Sequence, residues 1–188
     1  MTDQQTNLRT LARIITTHNP QGKSVISTHL PSQVPKTSVQ DGAAYHASPY
    51  STEQFPVDMN NDKDLDNYAR YLTSSASGLV NPTGTVVHIA EFAPGFLSAM
   101  HRTVSLDLVV VLEGEIELVL DSGETKRLGP GDQCVQRGTM HAWRNCSGEV
   151  WARMICVVQP ARELVVGGER LGEEMGGMGE EFGGAESN

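Results

Sequence analysis

Residues 94–114 read PGFLSAMHRTVSLDLVVVLEG, and residues 131–145 read GDQCVQRGTMHAWRN. Side chains alternate along a strand, so residues two apart share a face. In the first stretch His101, Thr103, Ser105 and Asp107 fall on one side, Val109 and Val111 continue it, and Arg102 and Leu106 point the other way. In a dry core the imidazole, the hydroxyls and the carboxylate would each need a partner of its own. The row is better suited to lining a solvent-connected cavity. His141, Trp143 and Asn145 share a face in the second stretch, adding a second imidazole and an aromatic wall.

The surroundings supply the barrel. Strands are expected at 86–92, 104–112, 115–120, 124–128, 133–136, 140–145 and 150–158, broken at Ala93-Pro94-Gly95, Glu113-Gly114, Asp121-Ser122-Gly123 and Gly129-Pro130-Gly131-Asp132. Short strands at this spacing, separated by Gly, Pro and Asp turns, indicate an antiparallel sandwich or barrel. Upstream, residues 12–29 read as a β-hairpin turning at Asn19-Pro20-Gln21-Gly22. Residues 30–60 read as an extended covering segment with one or two short strands. Residues 62–72 place Leu65, Tyr68, Ala69 and Leu72 on one helical face, and 74–84 is loop. The division expected is 1–80 for hairpin and cover, 81–165 for the barrel, and 166–188 for a flexible acidic, glycine-rich tail.

The 188 residues suit one domain, and nothing in them repeats. Of the net charge of −9, five negative charges come from glutamates between 172 and 188, and no basic stripe exists to neutralise phosphates. Nucleic acid is therefore excluded as a partner. Cys134, Cys146 and Cys156 lack paired spacing, which argues against a disulfide framework or a structural zinc cluster. With no apolar leader in residues 1–13 and no run long enough to span a bilayer, a cytoplasmic location without membrane contact is expected.

The two quoted stretches together resemble the paired motifs of the cupin superfamily of jelly-roll barrels. Gly95, five residues, His101, Thr103, Asp107, then six residues to Gly114 has the spacing of the first motif. Gly131-Asp132, Gly138-Thr139-Met140-His141, three residues and Asn145 resembles the second, with Gln136 where proline is usual. The runs His101-Arg102-Thr103 and Gln136-Arg137-Gly138-Thr139 are similar to small single-barrel cupins of microbial and fungal metabolic gene clusters. The resemblance implies an all-β, single cupin barrel (a double-stranded β-helix or jelly roll). It also implies His101, Asp107 and His141 as ligands of one divalent metal, as a facial triad. Thr103 stands where the family has its second histidine, and Asp107 where it has glutamate, so the set falls from four ligands to three.

Two chemistries stay open. One uses a single divalent metal (Fe, Mn, Zn or Ni), and the other uses none. Without a metal, a carboxylate in an apolar barrel and an imidazole beside it suit proton transfer. The leading function is a lyase or isomerase acting on a small polyketide-like or aromatic metabolite, by dehydration, aromatisation or decarboxylation, with His101, Asp107 and His141 catalytic. A non-haem metal-dependent dioxygenase and a non-catalytic small-molecule binder are the alternatives. Thr103, Trp143, Arg153 and His88 are candidate substrate contacts. Trp143 would stack on a flat ligand, and Arg153 would offer a donor fork or else form an outer-face salt bridge. His88 faces either the pocket or the exterior. His18, His29 and His46 read as surface or interface residues. The surplus strand of the N-terminal hairpin and the exposed sheet edge point to a homodimer.

Overall fold

The computed structural model describes residues 6–74 and 78–178. Its strands are β1 (Thr16–His18), β2 (Ser24–Ile26), β3 (Thr37–Val39), β4 (Ala44–Ser51), β5 (Val86–Phe92), β6 (Ser105–Glu113), β7 (Ile116–Leu120), β8 (Thr125–Leu128), β9 (Gln133–Arg137), β10 (His141–Asn145), β11 (Ala152–Pro160), β12 (Leu164–Val166) and β13 (Glu169–Leu171). Among the described residues one α-helix, α1 (Lys63–Thr73), lies between β4 and β5. The hairpin, the helix and the strands from β5 to β11 follow the sequence expectations closely. The β12–β13 hairpin was not expected.

The strands form two main sheets. Six antiparallel strands run in the order β3-β4-β5-β11-β6-β9, and three in the order β10-β7-β8. Their facing sides bury Phe92, Val109 and Val111 from the larger sheet against Ile116, Leu128 and Trp143 from the smaller. This is an all-β jelly-roll barrel. Gly114 makes the tight link from β6 to β7 with φ +76°, and a Cβ there would lie 2.8 Å from the Ala152 Cβ. Positive φ and close backbone approach both require glycine at that position.

The segment before β6 closes one side of the barrel. His101 and His141 exchange both backbone hydrogen bonds, 2.8 and 2.9 Å long, and Ser98 N–H donates to the Trp143 carbonyl. That pairing sets His101 directly opposite His141, with their side chains on one face. Asn145 braces the other end of β10. It is buried, and its Nδ2 donates to the carbonyls of Phe92, Ala93 and Val150.

The N-terminal segment covers the outer face of the large sheet. There Arg153, fully buried, donates from Nε and Nη2 to Glu91 at 2.9 and 2.7 Å and from Nη2 to the Arg9 carbonyl, and pairs with Glu113. Lys36 completes the cluster at 2.7 Å from Glu91. Helix α1 packs Tyr68 against β4, where its hydroxyl donates to the Ser48 carbonyl.

Residue 166, taken as the start of the tail, lies inside the β12–β13 hairpin. Beyond it, Glu174 exchanges backbone hydrogen bonds with Arg102, whose Nε also donates to the Gly172 carbonyl. The remaining tail, residues 179–188, lies outside the described residues.

Candidate functional site

Between the two sheets lies a cavity of about 110 Å³. The large sheet contributes His46 from β4, His88 from β5, Cys156 from β11 and Asp107 from β6. Trp143 and His141 come from β10, and His101 and Thr103 from the segment before β6. Apolar side chains, among them Phe92, Val109, Met154 and Leu79, fill the rest of the wall.

His101 and His141 sit with ring centroids 4.2 Å apart. Each Nδ1 lies beside a carbonyl two residues back, Ala99 at 3.0 Å and Thr139 at 2.9 Å. A carbonyl only accepts, so each ring donates from Nδ1 and, when neutral, keeps its lone pair on Nε2. Burial lowers both pKa values. His141 falls to about 4, driven first by burial and then by the neighbouring His101, with the Thr139 carbonyl opposing. His101 falls by burial against the opposing pull of the Ala99 carbonyl. The His141 and Trp143 rings meet in a T-shaped arrangement with centroids 5.6 Å apart.

Asp107 has the opposite problem. Burial raises it from 3.8 to about 6, with the Ser105 hydroxyl pulling it back. Its Oδ1 is buried and has no hydrogen-bond partner in the protein. An orphaned carboxylate oxygen in a cavity marks a position where a ligand atom or a proton completes the bonding. Thr103 spends its hydroxyl on Ser105, 2.7 Å away.

Histidines 46 and 88 form a second imidazole pair. The His88 Nε2 lies 2.8 Å from the Leu79 carbonyl, so it is the protonated nitrogen. Its Nδ1 is then an acceptor, and the His46 Nε2–H donates to it at 2.9 Å, with the Ser48 hydroxyl 3.1 Å away. Burial holds His46 down to about 3, and the neighbouring His88 adds to the depression because two protonated rings would repel. Burial also brings His88 to about 4, against the Leu79 carbonyl.

Of the residues singled out by sequence, the structure gathers His101, Thr103, Asp107, His141, Trp143 and His88 around one cavity. Arg153 is a correction. Met154, Cys156 and Val158 line the cavity, so alternation turns Arg153 to the outer face, where Glu91 and Glu113 consume its guanidinium. His46 is a second correction, since it faces the cavity and not the surface. Its register opposite Ala90 on β5 puts it there.

The two Nδ1-anchored imidazoles have the outer bonding that ligating histidines need. A third ligand does not join them: among the described residues no three His, Cys, Asp or Glu side chains come together to hold one ion.

Comparison with known proteins agrees with the barrel and its motifs. The family model described as Cupin domain matches residues 88–158. Phomopsin biosynthesis cluster protein D of Diaporthe leptostromiformis is 44% identical over 165 residues, 88% of this chain and 86% of that protein. The cupin-domain-containing oxidoreductase fogC of Aspergillus ruber is 36% identical over 183 residues, 96% of this chain and 87% of that one. Among solved structures, the polyketide cyclase RemF of Streptomyces resistomycificus overlays with a TM-score of 0.45 and 20% identity, covering 76% of this chain and 79% of that one. The chain belongs to the cupin family. Among its described residues no helix is long and apolar enough to cross a membrane.

Proposed function

We propose that this cupin is an enzyme that moves protons on a small metabolite inside the barrel, in a lyase or isomerase reaction of the dehydration, aromatisation or decarboxylation type. The observation that carries this reading is the unpartnered Oδ1 of Asp107 in a cavity shared with two neutral imidazoles. A carboxyl group poised near pH 6 exchanges its proton readily around neutrality, and a neutral imidazole beside the same ligand takes or returns one. Asp107 is the group that removes a proton from carbon or returns it. His141 and His101 hold the substrate oxygen and carry its proton, and Trp143 stacks on the flat part of the ligand.

The fungal relatives named as cluster proteins favour a secondary metabolite as substrate. The relatives named as oxidoreductases supply the competing reading. The deciding experiment follows α-proton exchange of 4-hydroxyacetophenone in deuterated water by NMR, with oxygen uptake and bound iron measured on the same preparation. Exchange that depends on Asp107 is expected. Equal exchange by wild type and Asp107→Asn, or oxygen consumption in proportion to bound iron, overturns the proposal.

A further inference from the structure

The cavity wall is unusual in what it leaves out. Among the described residues lining it there is no lysine and no arginine. The cations nearest in sequence to its residues are turned elsewhere and neutralised: Arg153 by Glu91 and Glu113, Arg102 by Glu174, and Arg144 by Glu117. The polar groups that do face it are imidazoles, hydroxyls and one carboxylate. The His46–His88 pair adds no cation either: the two buried rings are bonded to each other and to the Leu79 carbonyl, and burial holds both below neutrality in pKa.

We infer that the cavity is built for an uncharged ligand, a flat and mainly apolar molecule bearing neutral carbonyl or hydroxyl oxygens, and that it rejects carboxylates and phosphates. The inference rests on the reading of this cavity as the substrate site. A bound anion would leave water without any cation to meet it, and would share an apolar chamber with Asp107. A neutral ligand loses little on entry, and its hydroxyl finds acceptors in the Nε2 atoms of His101 and His141 and in Asp107 Oδ1. Trp143 and Phe92 match an aromatic or conjugated body. Asp107 and His88 stand on β6 and β5 of one sheet, with β11 between them. Two strand spacings separate those strands by about 10 Å, so the polar groups address two well-separated points on the ligand.

The test compares three probes of similar shape at pH 7.5 by calorimetry on the full chain: 4-hydroxyacetophenone, 4-hydroxybenzoate and 4-hydroxybenzylamine. The neutral ketone is expected to bind in the millimolar range or tighter, the carboxylate about tenfold or more weakly, and the amine no tighter than the ketone. In Asp107→Asn the gap between ketone and carboxylate should narrow without closing, because the missing cation remains missing. A carboxylate or amine that binds as tightly as the ketone or tighter, or a ketone that does not bind in the millimolar range, overturns the inference. The proton-transfer proposal fails separately, through absent α-exchange, whatever the order of binding.

Discussion

The Nε2–H of His46 donates to the Nδ1 of His88, 2.9 Å away, and His88 passes its own proton direction on to the Leu79 carbonyl. The pair lines the cavity with both rings neutral. Such an arrangement makes the fold sensitive to acid. His46, His88 and His141 are depressed to about 3, 4 and 4 from the ordinary 6.5, and His101 is depressed as well. The unfolded chain therefore takes up protons below pH 6.5 that His88 and His141 in the folded chain refuse until about pH 4, and His46 until about 3. This part of the stability is complete above 6.5 and is lost as the pH falls through that window. Asp107 works in the opposite sense, because its raised pKa adds stability below 3.8 that is lost as the pH rises to about 6. Four depressed histidines outweigh one raised carboxyl, so Tm should fall steadily from pH 6.5 to 4.5. His46→Leu/His88→Leu should flatten that slope, as read by thermal melts across the range.

Asp107 sets the pH dependence of the proposed reaction. As the base it must be ionised, so the α-exchange rate should rise through about pH 6 and level off above it. Asp107→Asn should lower the rate about a hundredfold or more and abolish that inflection, while 4-hydroxyacetophenone still binds within a few-fold. A loss of binding equal to the loss of rate would show that the carboxyl holds the ligand and does no proton transfer.

Much of this was legible from residue pattern alone. The turn residues Gly, Pro and Asp delimit β5 to β11, and strict alternation from His101 to Val111 exposes the polar row. What was missed depends on contacts distant in sequence. On β11 both faces are buried, one by the cavity and the other by the N-terminal segment, so the apolar run at 154–158 carries no phase and Arg153 could not be assigned a side. The same ambiguity hid the direction of His88 on β5. His46 lies in a segment whose prolines and serines read as cover, and only its pairing with Ala90 turns it inward. The β12–β13 hairpin did leave a signal, since Val165-Val166-Gly167-Gly168 is an apolar run entering a two-glycine turn.

Arg153 and Glu91 form a buried ion pair on the sheet's outer face, with fractional exposures of 0% and 1%. Removing Arg153 leaves the buried Glu91 with Lys36 still beside it, so the cost is about 3 kcal/mol, the low end for a broken buried pair. Arg153→Met should therefore destabilise the protein by roughly that amount in urea denaturation. Arg153→Met/Glu91→Leu should recover most of the loss, because the groups left over, Lys36 and Glu113, have 29% and 40% of their side chains exposed and can be hydrated. The double variant should bind 4-hydroxyacetophenone as wild type does, since neither residue touches the cavity. Weakened binding there would return Arg153 to the site from which its geometry removes it.

Thr103 is the residue that separates this cavity from the four-ligand cupin pattern. Its hydroxyl is committed to Ser105, and it lies between His101 and Asp107 on the cavity wall. Thr103→His would add a third imidazole beside the two whose Nδ1 atoms are already anchored to the Ala99 and Thr139 carbonyls. With that outer bonding in place, the added ring needs only to complete a ligand set, and a nitrogen-rich set favours zinc or nickel. The variant is expected to bind nickel at least about tenfold more tightly than wild type in calorimetry, and to gain Tm when nickel is added. The gain should disappear in Thr103→His/His141→Ala. Equal nickel affinity in wild type and Thr103→His would mean that the missing imidazole does not limit metal binding, and that Asp107 moves to join the two histidines when an ion arrives.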